Sequence, residues 1–131
     1  MENTTTKKIL QLIKEEELKE KQINNREQLE ELLYLLDDED RELFEAVEYV
    51  GKYIDRDSIN EIIEDLERIR EDELIGRYSS FEDYAYDIFE DAKYEIPEYL
   101  HPYFDLQRFA LDLEHDYSVF ETGADVLIFY P

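Results

Sequence analysis

Carboxylate side chains recur at helical spacing through the middle of the chain, and they are the residues best placed to do chemistry. Carboxylates three or four positions apart on a helix lie roughly 5 to 6 Å apart, a spacing comparable to that of neighbouring phosphates along a nucleic acid strand. A helix that carries such a row can therefore present negative charge as a strand does. The rows in this sequence are Glu39, Glu42, Glu45 and Glu48; Glu61, Glu64, Asp65 and Asp72; and Asp83, Asp87, Glu90 and Asp91.

The negative charge is concentrated after residue 36. Residues 37–131 contain 29 acids and 8 bases, whereas residues 1–36 contain 8 acids and 6 bases, and the whole chain has a net charge of −23. Such a charge repels nucleic acids and anionic membrane surfaces and attracts basic protein surfaces. We therefore expect a cationic protein as the partner, with no direct contact with nucleic acid or membrane.

This charge has two alternative uses. Acidic surfaces often serve only solubility. Crowding like charges on one folded surface, however, lowers stability, which favours a use beyond solubility. Duplex DNA carries about one charge per 1.7 Å of axis, so a net charge of −23 corresponds to about 39 Å, or roughly 12 base pairs, and a symmetric dimer to roughly 23 base pairs. The charge and its pattern favour imitation of DNA.

The sequence contains no pattern typical of an enzyme or a metal site. The carboxylates are too numerous for one catalytic pair to stand out, and a hydrolase that uses paired carboxylates would need a divalent metal. His101 and His115 lack metal-ligand spacing, which predicts surface or helix-end positions for them. Residues 55–61 resemble the start of a calcium loop, but the central Gly is missing and Leu66 stands where the bidentate Glu should be. We predict no enzymatic activity, no metal and no cofactor.

The predicted fold class is mostly α (α+β), an acidic helical bundle with a small C-terminal β-hairpin. The chain has eleven Tyr and seven Phe but only three Gly and three Pro, which is typical of folded elements rather than of a disordered acidic tail. Capping residues ahead of apolar residues at helical spacing predict six helices, and Gly51 predicts the end of the third. The predicted caps are Thr4, Thr5 or Thr6; Asn25; Asp37 or Asp38; Asp57 or Ser58; Ser80; and Asp105.

The last residues follow a different pattern. Residues 117–121 and 125–130 are rich in β-branched and aromatic side chains, and Thr122, Gly123 and Ala124 separate them. This pattern predicts a β-hairpin. A two-stranded hairpin is marginal in water, so we expect it to need support from helices or another chain.

Two segments are predicted. Residues 1–24 form a nearly neutral N-terminal amphipathic helix, and residues 25–131 form the acidic helical region that ends in the hairpin. The N-terminal helix could complete the bundle, form a dimer contact through Ile9, Leu12 and Ile13, or dock on the target. The chain has no Cys and no long apolar run, which predicts a cytoplasmic protein.

The tyrosines could either fill the core or contact a partner, because each combines apolar area with a polar tip. Tyr84 and Tyr103 neighbour apolar positions in their segments, and we predict that they fill the core. For Tyr34, Tyr53 and Tyr86 both roles stay open.

Residues 96–121 read IPEYLHPYFDLQRFALDLEHDYSVFE. This segment resembles the C-terminal part of the ArdA antirestriction proteins, with their Pro-containing turn, aromatic-x-Asp, and Phe-Ala-x-Asp-Leu run ahead of an Asp-Tyr strand. The order of elements upstream is also similar, so the resemblance covers roughly residues 32–130, and the family's mixed α/β N-terminal domain has no counterpart there. The motif positions are Pro97, Tyr103, Asp105, Phe109, Ala110, Asp112, Leu113 and Tyr117, of which Asp105 and Asp112 are acids and the others are expected to be structural.

The resemblance implies a dimeric mimic of bent DNA, encoded by a phage or mobile element, that occupies the DNA-binding groove of a type I restriction-modification enzyme in the bacterial cytoplasm. Other targets stay open, including a CRISPR nuclease or another DNA-binding defence protein, and so does a general acidic module that shields basic proteins. The predicted partner-binding acids are Asp37, Asp38, Glu39, Asp40, Glu42, Glu45, Glu48, Glu61, Glu64, Asp65, Asp72, Glu73, Glu82, Asp83, Asp87, Glu90, Asp91, Asp105, Asp112 and Glu114.

Overall fold

The computed structural model describes residues 4–131, which are mostly helical with a small three-stranded antiparallel sheet near the C-terminus. The predicted fold class is confirmed. The helices are α1 (Thr4–Glu20), α2 (Arg26–Leu32), α3 (Asp38–Val50), α4 (Ile59–Asp72), α5 (Phe81–Ala92) and α6 (Leu106–Glu114). The strands are β1 (Leu74–Tyr78), β2 (Ser118–Glu121) and β3 (Val126–Phe129), and the 3₁₀ turns are Leu33–Leu35, Lys93–Glu95 and Glu98–Tyr103.

The chain forms two compact units, one up to Ile69 and one from Arg70 onward. We refer to them as unit 1 and unit 2. The division of the sequence that we predict near Asn24 falls in the irregular segment between α1 and α2, and it stays a prediction.

Side-chain caps define the starts of five helices. The backbone N–H groups of Gln28, Asp40, Glu61, Asp83 and Arg108 donate to the side-chain oxygens of Asn25, Asp37, Ser58, Ser80 and Asp105, at 2.9, 2.8, 3.2, 3.2 and 3.2 Å respectively. Each bond satisfies a donor that the first helical turn leaves open. These caps confirm the predicted ones. At the first helix, Thr4, Thr5 and Thr6 all lie inside α1 rather than ahead of it, and the residues before Thr4 lie outside the described part.

The core of unit 1 is built from one apolar face of each of α2, α3 and α4. The spacing of these residues, three or four positions along each helix, places them on one side of it. Gly51 ends α3 with a φ of 78°, a left-handed conformation that glycine adopts without strain. The buried side chains are Leu29, Leu32, Leu36, Leu43, Phe44, Ala46, Val47, Ile54, Ile59, Ile62, Leu66 and Ile69.

The core of unit 2 joins α5 and α6 to the sheet. Its cluster of buried residues comprises Phe81, Ala85, Ala110, Val126 and Ile128. The strand order is β1-β3-β2, and both neighbours pair antiparallel with β3. All four residues of this central strand are buried, which explains its continuous apolar sequence.

The predicted hairpin is confirmed as β2 and β3, and a third strand that the sequence pattern does not predict, β1, completes the sheet. This strand follows α4 after one residue, contains Gly76, and has a register shift between Leu74 and Gly76. A short strand with a central glycine gives little periodic signal. The third strand supplies the support that an isolated hairpin would lack.

Candidate functional site

Both units carry a large negative charge. Residues 1–69 contain 21 acids and 10 bases, a net charge of −11, and residues 70–131 contain 16 acids and 4 bases, a net charge of −12. The predicted partner-binding acids divide equally between the units. A partner attracted by charge can therefore be attracted by either unit.

Most of the predicted acids lie at the surface. Their exposure leaves the carboxylates available to a partner, except where Asp37 and Asp105 also accept a capping hydrogen bond. The exposed ones are Asp37, Asp38, Glu39, Glu45, Glu61, Glu64, Asp72, Glu82, Asp83, Asp87, Asp91, Asp105, Asp112 and Glu114. The half-buried ones are Asp40, Glu42, Glu48, Asp65, Glu73 and Glu90.

Glu48 is committed to contacts inside unit 1. Arg26 donates to its two carboxylate oxygens at 2.6 and 3.2 Å, and Arg56 lies 3.3 Å from the first of them. Arg26 also donates to Glu30 at 3.1 Å. The hydrogen bond to Glu48 is the main reason why the pKa of Arg26 is raised. Glu48 therefore links α2, α3 and the loop before α4.

Asp65 is likewise engaged within its unit. Its carboxylate accepts the backbone N–H of Asp55 at 2.6 Å and lies 3.8 Å from the guanidinium of Arg68. Asp55 in turn accepts the N–H of Asp57 at 2.9 Å. These bonds tie the loop to α4 and account for the acids that resemble a calcium loop. Within residues 4–131 no group of three or more His, Asp or Glu side chains is arranged to hold a metal ion.

Glu90 is the engaged acid of α5. Lys93 donates to it at 2.6 Å, and this bond, together with one from the hydroxyl of Tyr86, lowers the pKa of Glu90. Tyr86 is thus an exposed tyrosine with a hydrogen-bonded hydroxyl. Of the third acidic row, Asp83, Asp87 and Asp91 stay exposed at four-residue spacing, which places them along one face of α5.

Glu61 lies near other acids whose negative charges oppose its ionisation. The negative charge of Asp55 raises its pKa above the ordinary 4.5, and Glu64 adds to the effect. The exposed acids at the start of α4 are therefore close enough to oppose each other's ionisation. This repulsion opposes folding, and a cationic partner would relieve it.

Sequence reasoning missed several exposed acids. They continue the helical spacing or stand in loops, so the same spacing argument could have found Glu67, which follows Glu64 by three positions. The missed acids in the acidic region include Asp57, Glu67, Glu71, Glu95, Glu98, Asp116 and Glu121.

The segment of residues 93–103, here called the tyrosine turn, holds three strongly exposed aromatic side chains. Tyr94, Tyr99 and Tyr103 are 85%, 74% and 83% exposed. The prediction that Tyr103 fills the core is wrong: the side chain stands on a short 3₁₀ turn rather than on a helix face that meets the core. The signal that misled us is its apolar neighbour Phe104, which is the residue that packs inward.

The tyrosine turn is held in place by its own interior contacts. Nε2 of His101 lies 3.1 Å from the carbonyl oxygen of Lys93 and 3.0 Å from that of Ile96, and it donates to these two acceptors. Phe104 stacks on Phe89 of α5 with ring centroids 4.1 Å apart. His101 is therefore a structural residue of the turn, while His115 caps the end of α6 as predicted. The exposed tyrosines stand on a fixed support.

Tyr84 fills the core of unit 2 as predicted. Its ring packs edge-on against Phe81 and Tyr117, and its hydroxyl lies 3.4 Å from that of Tyr117. Burial is the main cause that raises its pKa. Tyr34 and Tyr53, whose roles the sequence left open, are 57% and 78% exposed.

The profile of the antirestriction protein (ArdA) family matches residues 11–127. The chain belongs to the ArdA antirestriction family. The match begins ahead of residue 32, where the motifs suggested the resemblance would start, and it includes most of α1. Neither the curated proteins nor the solved structures contain a match to the chain.

Membership in the ArdA family gives the acidic surface a context. Antirestriction makes a restriction enzyme the expected kind of partner, and a DNA-binding enzyme offers the basic surface that this charge would attract. None of the helices within residues 4–131 is long and apolar enough to cross a bilayer.

Proposed function

We propose that this ArdA protein is a DNA mimic that occupies the DNA-binding groove of a type I restriction-modification enzyme. The observation that carries the proposal is the exposure of acidic rows on α3, α4 and α5 in a chain of an antirestriction family. The protein acts without a catalytic step, by excluding DNA from the groove. It works in the cytoplasm of the bacterial host, where restriction enzymes meet incoming DNA.

The charge density of α5 supports this proposal. The helix has 12 residues, which span about 18 Å at a rise of 1.5 Å per residue. Glu82, Asp83, Asp87 and Asp91 are exposed along it, so the helix presents about one free carboxylate per 4.5 Å. A single DNA strand presents about one phosphate per 3.4 Å of axis. The two densities are close enough for a phosphate-binding groove to accept the helix.

The acids divide into two roles. Glu48, Asp65 and Glu90 hold loops and helices together through cations or backbone donors. The exposed acids of the same helices are the phosphate substitutes. Because these act together, a single substitution changes affinity little, whereas removal of a whole row weakens binding and its dependence on salt.

The tyrosine turn adds a short-range contact that DNA does not offer. Arginine side chains line phosphate-binding grooves, and a guanidinium stacks favourably on a tyrosine ring. The ring of Tyr94 already lies 5.6 Å from the ammonium of Lys93, and the exposed Glu95 and Glu98 lie in the same turn. We assign this turn to recognition of arginine-rich protein surface. Contacts between these tyrosines and arginine side chains would then distinguish the target from other basic surfaces, which attract the protein by charge alone.

The protein acts as a homodimer in this proposal, as the resemblance implies. Two chains double the length of duplex that the charge can replace, to roughly 23 base pairs. A twofold arrangement also fits an enzyme that contacts DNA over an extended site.

Competition for one enzyme tests the proposal. A purified type I enzyme is incubated with fluorescent duplex DNA and increasing amounts of the protein, and DNA release is followed by anisotropy at several salt concentrations. We expect the protein to compete with the DNA for a single site on the enzyme, with an inhibition constant that rises steeply with salt. Inhibition of cleavage without release of DNA would contradict the mimic.

A general acidic shield is the alternative that this experiment must exclude. The same titration is therefore run with an unrelated basic protein, such as a nucleoid protein, bound to the same DNA. A mimic should release the enzyme at a concentration well below that needed for the nucleoid protein. Equal potency against both would identify a shield. If the protein released DNA from a CRISPR nuclease but not from the type I enzyme, the DNA-mimic mechanism would hold and the target would be the nuclease.

A further inference from the structure

Helix α1 exposes an apolar face. Ile9, Leu12 and Ile13 are 53%, 60% and 51% exposed, Leu10 is 53% exposed, and no residue of Thr4–Glu20 is buried. Positions 9, 12 and 13 lie on one side of a helix. Most of the stability of a helix of this length comes from packing such a face rather than from its backbone. The face therefore needs a partner surface.

The charges of α1 are segregated along its length. Its first eleven residues contain Lys7, Lys8 and Lys14 and no acid, whereas its last six contain four glutamates and Lys19. The N-terminal part thus has a charge of +3, the C-terminal part a charge of −3, and the helix as a whole is neutral. The apolar face lies between the two charged ends.

We propose that α1 pairs antiparallel with α1 of a second copy of this chain. When two such helices cross at the apolar residues, Lys7 and Lys8 of one copy lie opposite Glu15 and Glu16 of the other, and the symmetry repeats the contact. The opposed helix dipoles also favour this orientation. The same helix is thus complementary to itself in charge and in apolar area.

Charge selects a second copy over other occupants of the face. A basic groove would repel the lysine end of α1, and an anionic membrane would repel a chain with a net charge of −23. Two copies also repel each other, because residues 37–131 carry 29 acids against 8 bases. The neutral helix is the part of the chain at which they can approach with the least repulsion.

Sedimentation equilibrium with charge-reversal variants tests the pairing. One variant combines Lys7→Glu with Lys8→Glu, and the other combines Glu15→Lys with Glu16→Lys. The unmodified chain should form a dimer. For each variant alone, the dissociation constant of the dimer should be roughly tenfold higher. An equimolar mixture of the two should recover the dimer, since each charged end then meets its opposite.

A second pair of variants tests the apolar face. Leu12→Ser combined with Ile13→Ser should weaken the dimer by at least the same factor, whereas Leu111→Ser, at a residue 65% exposed on α6, should leave it unchanged. Circular dichroism checks that each variant is folded. Leu12, Ile13 and Leu111 are all exposed, so their replacement removes no buried contact. Recovery of the dimer on mixing the two charge variants gives a second test that does not involve these substitutions.

Three results would overturn the proposal: a monomer at all concentrations, a dimer that the α1 variants leave intact, or charge variants that do not recover on mixing. A monomer would leave the face to another occupant, such as the target. The proposal takes up the homodimer of the proposed function, but sedimentation needs no restriction enzyme. The two proposals can therefore fail separately. The α1 contact can be absent while the protein still releases DNA from the enzyme, and the α1 contact can form in a protein that releases no DNA.

Discussion

Arg26 at the start of α2 donates two hydrogen bonds to Glu48 near the end of α3, although 22 positions separate them in the sequence. The guanidinium fork matches the two carboxylate oxygens, and such bidentate pairs are stronger than single contacts. Glu48 is therefore an acid whose charge is matched within the fold. It contrasts with Glu45, one turn earlier, which is exposed.

Replacement of Glu48 should lower the stability of the fold and have little effect on inhibition of the enzyme. Glu48→Gln removes the negative charge that Arg26 and Arg56 share, and we expect the free energy of unfolding to fall by roughly 0.5 to 1 kcal/mol. Glu45→Gln is the matched control and should leave stability unchanged. Urea denaturation followed by circular dichroism measures both. Equal stability of the two variants would show that the Arg26 contact contributes nothing.

Neutralising exposed acids of α5 should weaken inhibition and have little effect on stability. Asp87→Asn with Asp91→Asn removes two exposed carboxylates at four-residue spacing from α5. The control, Glu27→Gln with Glu31→Gln, removes two exposed carboxylates at the same spacing from α2. If each lost contact contributes about 0.2 to 1 kcal/mol, the α5 variant should inhibit roughly two- to thirtyfold less well. The control should inhibit normally. The DNA-release titration measures this, and equal losses would mean that only total charge matters.

Glu61→Gln should stabilise the fold at neutral pH. Asp55 and Glu64 raise the pKa of Glu61 above 4.5, so the folded state favours the protonated form, and the ionised form opposes folding. The gain from the substitution should be absent below pH 4.5 and should appear as the pH rises through the raised pKa. Thermal unfolding of both proteins across this range measures it. A variant that is less stable at neutral pH would contradict the repulsion.

Asp125→Asn should loosen the hairpin. Asp125 accepts hydrogen bonds from the hydroxyl of Thr122 and, at 2.7 Å, from Arg77 of β1, and these bonds lower its pKa below 3.8. Its contribution is therefore complete above its ordinary pKa and is lost as the pH falls through the lowered one. Hydrogen exchange of the β2 and β3 amides should be faster in the variant at neutral pH. Glu121→Gln, an exposed acid of β2, should exchange as the unmodified chain does.

The helices and their caps were predictable because their causes are local. Ser80 stands three residues ahead of Asp83 and before apolar residues at helical spacing, so cap and face agree. Gly51 likewise marks the end of α3 in the sequence itself. Strand β1 was not predictable, because its five residues become a strand only by pairing with β3, whose partner residues lie 48 to 55 positions later.

The candidate surface was predictable in composition but not in detail. Spacing along a helix identified the acidic rows, yet it could not separate Glu48 from Glu45, since Arg26 reaches Glu48 from another helix. The exposure of Tyr103 was hidden for a similar reason. Whether an aromatic residue faces inward depends on the direction of a short turn, which His101 sets through two backbone carbonyls.

The tyrosine turn should contribute to affinity in a manner independent of salt. Tyr94→Ser with Tyr99→Ser removes two exposed rings, and Tyr49→Ser with Tyr53→Ser is the matched control, at residues 73% and 78% exposed in unit 1. We expect the first variant to inhibit several-fold less well and the control to inhibit normally, because buried aromatic contacts are the usual anchors of an interface.

Salt separates this contribution from that of the acids. Screening weakens charge contacts but hardly affects ring stacking, so the tyrosine variant should lose the same factor at every salt concentration and keep the slope of the unmodified protein. The α5 acid variant should instead lose less as salt rises, because its missing contacts are those that salt already weakens. A tyrosine variant whose loss also vanished at high salt would mean that these rings act through the neighbouring carboxylates. A variant with no loss at all would remove the turn from the binding surface and leave recognition to charge and shape.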